Sequence, residues 1–140
     1  MSFSQRCKKE LLRKEPIDKK AELISLAYFI GSIRISQAGF NIFFETDSNQ
    51  EARYIYKLIN ELYDYSPTFE IQDNPDKKVS RDYVVMVEDS KITDDLIDLM
   101  NKGFIENYED IEDVKLNDIK GFLKIAFIFR GSVNDPKRGY

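Results

Sequence analysis

Histidine is absent from all 140 residues, and this absence removes more chemistry than any other feature of the chain. Without imidazole there is no Ser-His or Cys-His nucleophile pair and no histidine-ligated zinc site. Any catalysis would have to run on carboxylates, lysines or tyrosines alone. Cysteine occurs once, as Cys7, so no internal disulfide can form, which fits a reducing cytosol. Cys7 stands beside Arg6, Lys8 and Lys9, cations that favour a thiolate, although an ordinary reduced thiol is the simpler reading. No apolar run approaches the ~20 residues that a membrane span requires. The basic amino terminus, MSFSQRCKKELLRK, has no apolar stretch behind it and does not read as a secretory signal.

What is present describes a folded domain: 42% hydrophobic and 33% charged residues, in a chain about one domain long. The net charge of −4 is unevenly spread. Residues 1–20 hold seven Lys or Arg against Glu10, Glu15 and Asp18, whereas residues 88–113 hold ten Asp or Glu against Lys91 and Lys102. A basic arm suits an anionic partner, nucleic acid first among them, and suits equally a solvated helix face.

Hydrophobic spacing orders the chain as an α+β domain. Ser2 or Ser4 caps a first helix through Lys14, which Pro16 ends. Asp18 caps a second, Lys19 to Ile30, with Leu23, Leu26, Ala27 and Ile30 at helical spacing. Ser32–Ser36 and Phe40–Thr46 alternate as a hairpin turning at Gln37–Gly39, and Asp47 starts a long helix to Tyr63. Thr68–Gln72 and Arg81–Glu88 form a second hairpin. Its loop, Asp73-Asn-Pro-Asp-Lys-Lys, is explained by turn chemistry more simply than by calcium. Residues 92–101 read as a helix with Leu96, Leu99 and Met100 apolar. After an acidic connector, Asn117 or Asp118 caps a last helix to Arg130. The corresponding segments are 1–16 (basic helix), 17–90 (first half), 91–116 (helix and connector) and 117–140 (start of a second half).

Two stretches one hundred residues apart resemble each other: Leu23-Ile-Ser-Leu-Ala-Tyr-Phe-Ile-Gly31-Ser-Ile and Leu123-Lys-Ile-Ala-Phe-Ile-Phe-Arg-Gly131-Ser-Val. Each is an apolar helix that leaves through Gly-Ser into a β segment. The first continues as hairpin, helix, hairpin. This αββαββ order resembles the half-unit of LAGLIDADG homing endonucleases. The resemblance extends to the amino-terminal part of the WhiA family of bacterial sporulation and cell-division regulators. It rests on Met1-Ser-Phe-Ser-Gln, Lys8-Lys-Glu-Leu-Leu, Glu15-Pro16, Gly31-Ser32 and Ala52-Arg-Tyr-Ile-Tyr-Lys-Leu. The most specific run is Arg130-Gly-Ser-Val-Asn-Asp-Pro-Lys-Arg-Gly-Tyr140.

The resemblance implies two helices packed through small residues, here Ala27, Gly31, Ala126 and Gly131, and a sheet saddle that sits on DNA. In LAGLIDADG nucleases a carboxylate precedes each terminal glycine and holds metal at the scissile phosphates. Here those places are Ile30 and Arg130, so the resemblance implies no catalysis, no metal and no cofactor; Asp135 reads as a turn former. Alternation turns Ile33, Ile35, Phe69 and Ile71 inward and Ser32, Arg34, Ser36, Thr68, Glu70 and Gln72 outward, with Phe40–Thr46 ambiguous. A face holding Glu45 and Glu70 grips DNA weakly. The cationic candidates for DNA are Arg6, Lys8, Lys9, Arg13, Arg34, Arg130, Lys137 and Arg138. The alternative is a protein-interaction module, with Glu106–Asp113 as contacts, together with those of Tyr54, Tyr56, Tyr63 and Tyr65 that the core does not take. Sequence-specific recognition would then lie in the carboxyl-terminal helix-turn-helix domain that the resemblance implies. Only nine residues follow Gly131, so the second half reads as truncated. Leu123, Ala126, Phe127 and Ile128 would then lack cover and favour a homodimer or an aggregation-prone monomer. The expected location is the cytoplasm, with the nucleoid.

Overall fold

The computed structural model describes residues 2–37, 39–73, 81–106 and 116–131. The helices are α1 (Phe3–Arg13), α2 (Lys19–Ile30), α3 (Asn49–Tyr63), α4 (Ser90–Glu106) and α5 (Leu116–Arg130). The strands are β1 (Gly31–Ser36), β2 (Gly39–Thr46), β3 (Thr68–Asp73) and β4 (Arg81–Val87). The sequence places the helix starts well because side chains supply the acceptors that the first-turn N–H groups need. Ser2 and Gln5 form a reciprocal capping box on α1. The Asp18 carboxylate accepts from the Ala21 N–H at 2.9 Å. Ser48, one residue past the expected Asp47, caps α3 through the Glu51 N–H at 3.2 Å. Helix α5 begins at Leu116, which puts Asp118 inside its first turn instead of at the cap.

The four strands form one antiparallel sheet in the order β1-β2-β4-β3. Register sets the faces: Phe44 pairs with Gly31 and Val85, and Phe69 also pairs with Val85. Ile42, Phe44 and Val85 meet Ile24, Leu26, Ile55, Leu58, Ile59 and Leu96 from α2, α3 and α4 in one core. This resolves β2, with Ile42, Phe44 and Thr46 facing the helices and Asn41, Phe43 and Glu45 facing away.

One expectation needs correction. Ile33 and Ile35 share the helix-side face with their partners Ile42 and Phe40, yet Ile35 is 77% exposed, and Ile33, Phe40 and Ile71 are exposed too. Alternation assigned the face, but the helices cover the central strands and Phe69 and stop short of the β1–β2 tip and the far end of β3. The loop 74–80, residue 38, the stretch 107–115, and residues 132–140 with Asp135, Lys137 and Arg138 lie outside the described residues, as do the side chains of Leu99 and Met100.

Helices α2 and α5 run in the same direction, side by side. At their starts Gly121 faces Ala21 and Glu22, and at their ends the Arg130 guanidinium donates to the Phe29 carbonyl at 3.0 Å. Each then leaves through glycine for the same physical reason. The Gly31 and Gly131 N–H groups bond the carbonyls of Ala27 and Phe127. A Cβ on Gly31 would lie 2.7 Å from the Ala27 oxygen, and one on Gly131 2.8 Å from the Phe127 Cα. Backbone must shift to admit it. Gly31→Ala is therefore expected to destabilise the domain by about 1–3 kcal/mol, the usual cost of overpacking. Urea denaturation followed by circular dichroism checks this, and an unchanged midpoint would show that the helix exit relaxes freely.

Candidate functional site

The helix-end positions open onto a cleft of about 450 Å³ lined by Lys8, Ile30, Glu45, Asp47, Glu51, Asp82 and Arg130, among others. Helix α1 brings Lys8 to it, with the ammonium 5.7 Å from the Phe127 ring centroid of α5. The Glu51 carboxyl accepts the Thr46 hydroxyl, and its pKa is raised: burial is the main cause, opposed by the Thr46 bond, with Asp47 adding to the rise. A carboxylate pair at the ends of α2 and α5 would be needed to hold metal against a scissile phosphate. Ile30 has no ligating atom, and Arg130 is a cation tied to the Phe29 carbonyl. The cleft carboxylates come instead from β2, β4, α3 and the β2–α3 turn, and they share the space with Lys8 and Arg130. Among the described residues, no group of three or more Asp, Glu, Cys or His is disposed to hold a metal ion.

The predicted cations are scattered. Arg34 lies on the sheet face away from the helices, stacked 5.0 Å from the Phe43 ring centroid. The same face carries Glu45, Glu70 and Asp82 on β2, β3 and β4, three carboxylates against one guanidinium. At its centre Val84 and Met86 are already withdrawn from solvent, outside the main core cluster. Arg6, Lys9 and Arg13 are exposed on α1, where Arg6 lies 5.8 Å over Phe3 and Arg13 pairs with Glu10 at 2.8 Å. Of the helix-interface residues, Ala27 is buried and Ala126 half-buried. The small residue in contact with the opposite helix near its start is Gly121, which the sequence reading passed over.

Deeper in the α2–α5 seam lies a polar network that was missed altogether. The Glu22 side chain is 0% exposed and that of Lys124 3%, with the ammonium 3.3 Å from the carboxylate. Glu22 also accepts the Ile17 N–H at 2.6 Å, the Asp18 N–H at 3.2 Å and the Tyr54 hydroxyl. Lys124 donates to the Tyr54 oxygen at 2.7 Å. A signal was available, since each charge interrupts an apolar helix next to the paired Leu23 and Leu123. Tyr54 is thus a core residue, not a docking contact. Tyr63 donates to Asp95, Tyr65 accepts the Glu88 N–H at 3.3 Å, and Tyr56 packs on Phe69. On α5, Leu123 is 58% exposed and Phe127 half-buried, whereas Ile128 is buried, so the expected uncovered face is narrower than foreseen.

The α2-β1-β2-α3-β3-β4 order, with a second helix laid parallel to α2, defines a LAGLIDADG-like unit whose helix-end carboxylates are replaced. Residues 16–100 match the family model described as the WhiA N-terminal LAGLIDADG-like domain, and the chain belongs to that family. It is similar to the "Probable cell division protein WhiA" of Thermoanaerobacter sp. (strain X514), 33% identical over 152 aligned positions, covering 100% of this chain and 48% of that protein. The protein of the same description from Streptococcus suis (strain 05ZYH33) is 31% identical over 143 positions, covering 99% of this chain and 46% of the relative. The crystal structure of full-length DUF199/WhiA from Thermatoga maritima superimposes with a TM-score of 0.62 at 17% identity, covering 100% of this chain and 43% of that one, a likeness of fold. The chain spans about half the length of the curated relatives it matches. No helix among the described residues is long and apolar enough to cross a membrane.

Proposed function

We propose that this chain is a non-catalytic scaffold from a bacterial DNA-binding transcription regulator that acts in cell division and sporulation, in the cytoplasm at the nucleoid. One observation carries the reading. The two positions at which a nuclease of this fold needs carboxylates hold Ile30 and Arg130, and the Arg130 guanidinium is engaged by the Phe29 carbonyl. The family membership and the relatives' names, "Probable cell division protein WhiA", support the regulator role. Contact with DNA from this part is weak and electrostatic, because the sheet face that the fold would lay on DNA carries Glu45, Glu70 and Asp82 against Arg34. Sequence-specific readout belongs to a separate helix-turn-helix domain. A second copy of the chain is a further partner, met through Leu123 on α5.

A second reading, a protein-interaction module that leaves DNA to other domains, is favoured by the carboxylate-rich sheet face, where Glu45, Glu70 and Asp82 outnumber Arg34. Anisotropy titration of a labelled duplex at ~50 and ~200 mM salt separates the two. The scaffold reading expects weak binding that fades steeply with salt, and no nicking of supercoiled plasmid in magnesium. Nicking by the pure chain would overturn the non-catalytic role. No binding at either salt would leave the interaction module standing.

A further inference from the structure

The sheet face is the wrong sign for a polyanion, and the opposite sign gathers on the other side of the molecule. Helix α3 puts Ile55, Leu58 and Ile59 into the core against the sheet, which turns Arg53 and Lys57 to solvent. Helix α1 docks beside it: the Gln50 side chain donates to the Lys9 carbonyl at 3.0 Å, and Lys57 pairs with Glu15 at 3.2 Å. Between them lies a cleft of about 180 Å³ whose rim carries Arg13, Lys14, Arg53 and Lys57, with Glu15 as its one carboxylate. Lys9 is exposed on α1, and next to Lys57 stands Glu61, 3.8 Å from it and paired with Lys19 at 3.0 Å.

We propose that this α1–α3 surface, and not the sheet saddle, is where the domain holds a nucleic-acid phosphate backbone. The inference rests on the DNA-binding reading above and assigns its contact surface. Three observations carry it. Among the described residues, the side chains of Lys14 and Arg53 have no carboxylate partner, so their charge is available. The Arg13–Glu10 and Lys57–Glu15 pairs are largely exposed, and exposed pairs yield readily to a stronger anion. Arg13, Arg53 and Lys57 sit on two helices pinned to each other, with Lys14 at the C-cap of α1, so little order is lost on binding. Arg13 and Arg53 supply planar donors matched to phosphate oxygens, with Lys14 and Lys57 as point charges beside them.

The test is anisotropy titration of a labelled duplex with the full 140-residue chain across the ~50–200 mM range, where each lost phosphate contact lowers the salt slope by about 0.9. The variants are Arg53→Glu, the pair Lys14→Glu with Arg53→Glu, and Arg34→Glu on the sheet face. Lys91→Glu, an equal change of charge on the exposed start of α4, is the control. The substituted side chains are exposed, so circular dichroism should match the parent chain. The proposal expects the pair to weaken binding at least tenfold at ~50 mM and to flatten the slope by about two, with Arg53→Glu alone giving about half that change. Losses from Lys91→Glu or Arg34→Glu as large as those from Arg53→Glu overturn it. If the parent chain binds poly-glutamate as tightly as the duplex through the same residues, the surface is one for acidic protein and the nucleic-acid assignment falls. Absence of binding by the parent chain removes the underlying DNA reading, whereas binding that ignores Lys14 and Arg53 removes this inference alone.

Discussion

Glu22→Ala is expected to lower the unfolding free energy by about 3–5 kcal/mol, the loss seen when one partner of a buried ion pair is removed. A domain of this kind holds only about 5–15 kcal/mol in total, so the variant should be partly unfolded at body temperature. Glu22 satisfies four donors at once: two N–H groups ahead of α2, the Tyr54 hydroxyl and the Lys124 ammonium. Removing the carboxylate leaves Lys124 charged in the seam between two helices, beside the Tyr54 oxygen and ring but without its carboxylate. Replacing both charges, as Glu22→Gln with Lys124→Met, should recover a large part of the loss, because neither a buried cation nor a buried anion remains. Urea titrations of the two single variants and the double variant measure the coupling directly. Additive losses would mean that the pair does not tie α5 to α2, and the seam would then rest on its packing, at Phe29, Phe122 and Gly121 among others, and on the Arg130–Phe29 hydrogen bond.

The order of elements was legible because helix and strand periods differ and because Pro16, Gly31 and the caps punctuate them. The repeat around Gly31 and Gly131 also located the two helix ends, and with them Ile30 and Arg130. Three things were not legible. Alternation tells which way Ile35 points but not whether a helix reaches far enough to cover it, since coverage depends on the offset between layers. The partnership of Glu22 with Lys124 depends on which turns of α2 and α5 meet, a tertiary fact that neither helix carries alone. Arg53 lies on α3 and Lys14 caps the end of α1, so their grouping required the docking of α1 on α3. The Asp82 contribution to the sheet face was missed for a simpler reason: the face of β4 was left unassigned.

Alkali should unfold the domain through its tyrosines. Burial raises the Tyr54 hydroxyl above its ordinary pKa of 10.0, and its bond to the Glu22 carboxylate raises it further. Burial likewise raises Tyr63, with the Asp95 bond adding to it. Both hydroxyls keep their protons in the folded state at a pH where the unfolded chain has released them. A folded-state pKa above the unfolded value contributes stability that is complete below pH 10 and is lost as pH rises beyond it. Each tyrosine costs at most roughly 1.4 kcal/mol per pH unit in that window, and solvent at the half-buried Tyr63 screens part of it, so the two together remove less than roughly 2.7 kcal/mol per unit. Tyr63→Phe should halve the slope while losing only ~1 kcal/mol at neutral pH, the net worth of one hydrogen bond. Tyr54→Phe should also halve it but lose more at neutral pH, because Glu22 and Lys124 each forfeit a buried partner. Urea midpoints between pH 9 and pH 11.5, read beside tyrosinate absorbance, check both. A slope that persists unchanged in the double phenylalanine variant would show that these two tyrosines do not drive alkaline unfolding.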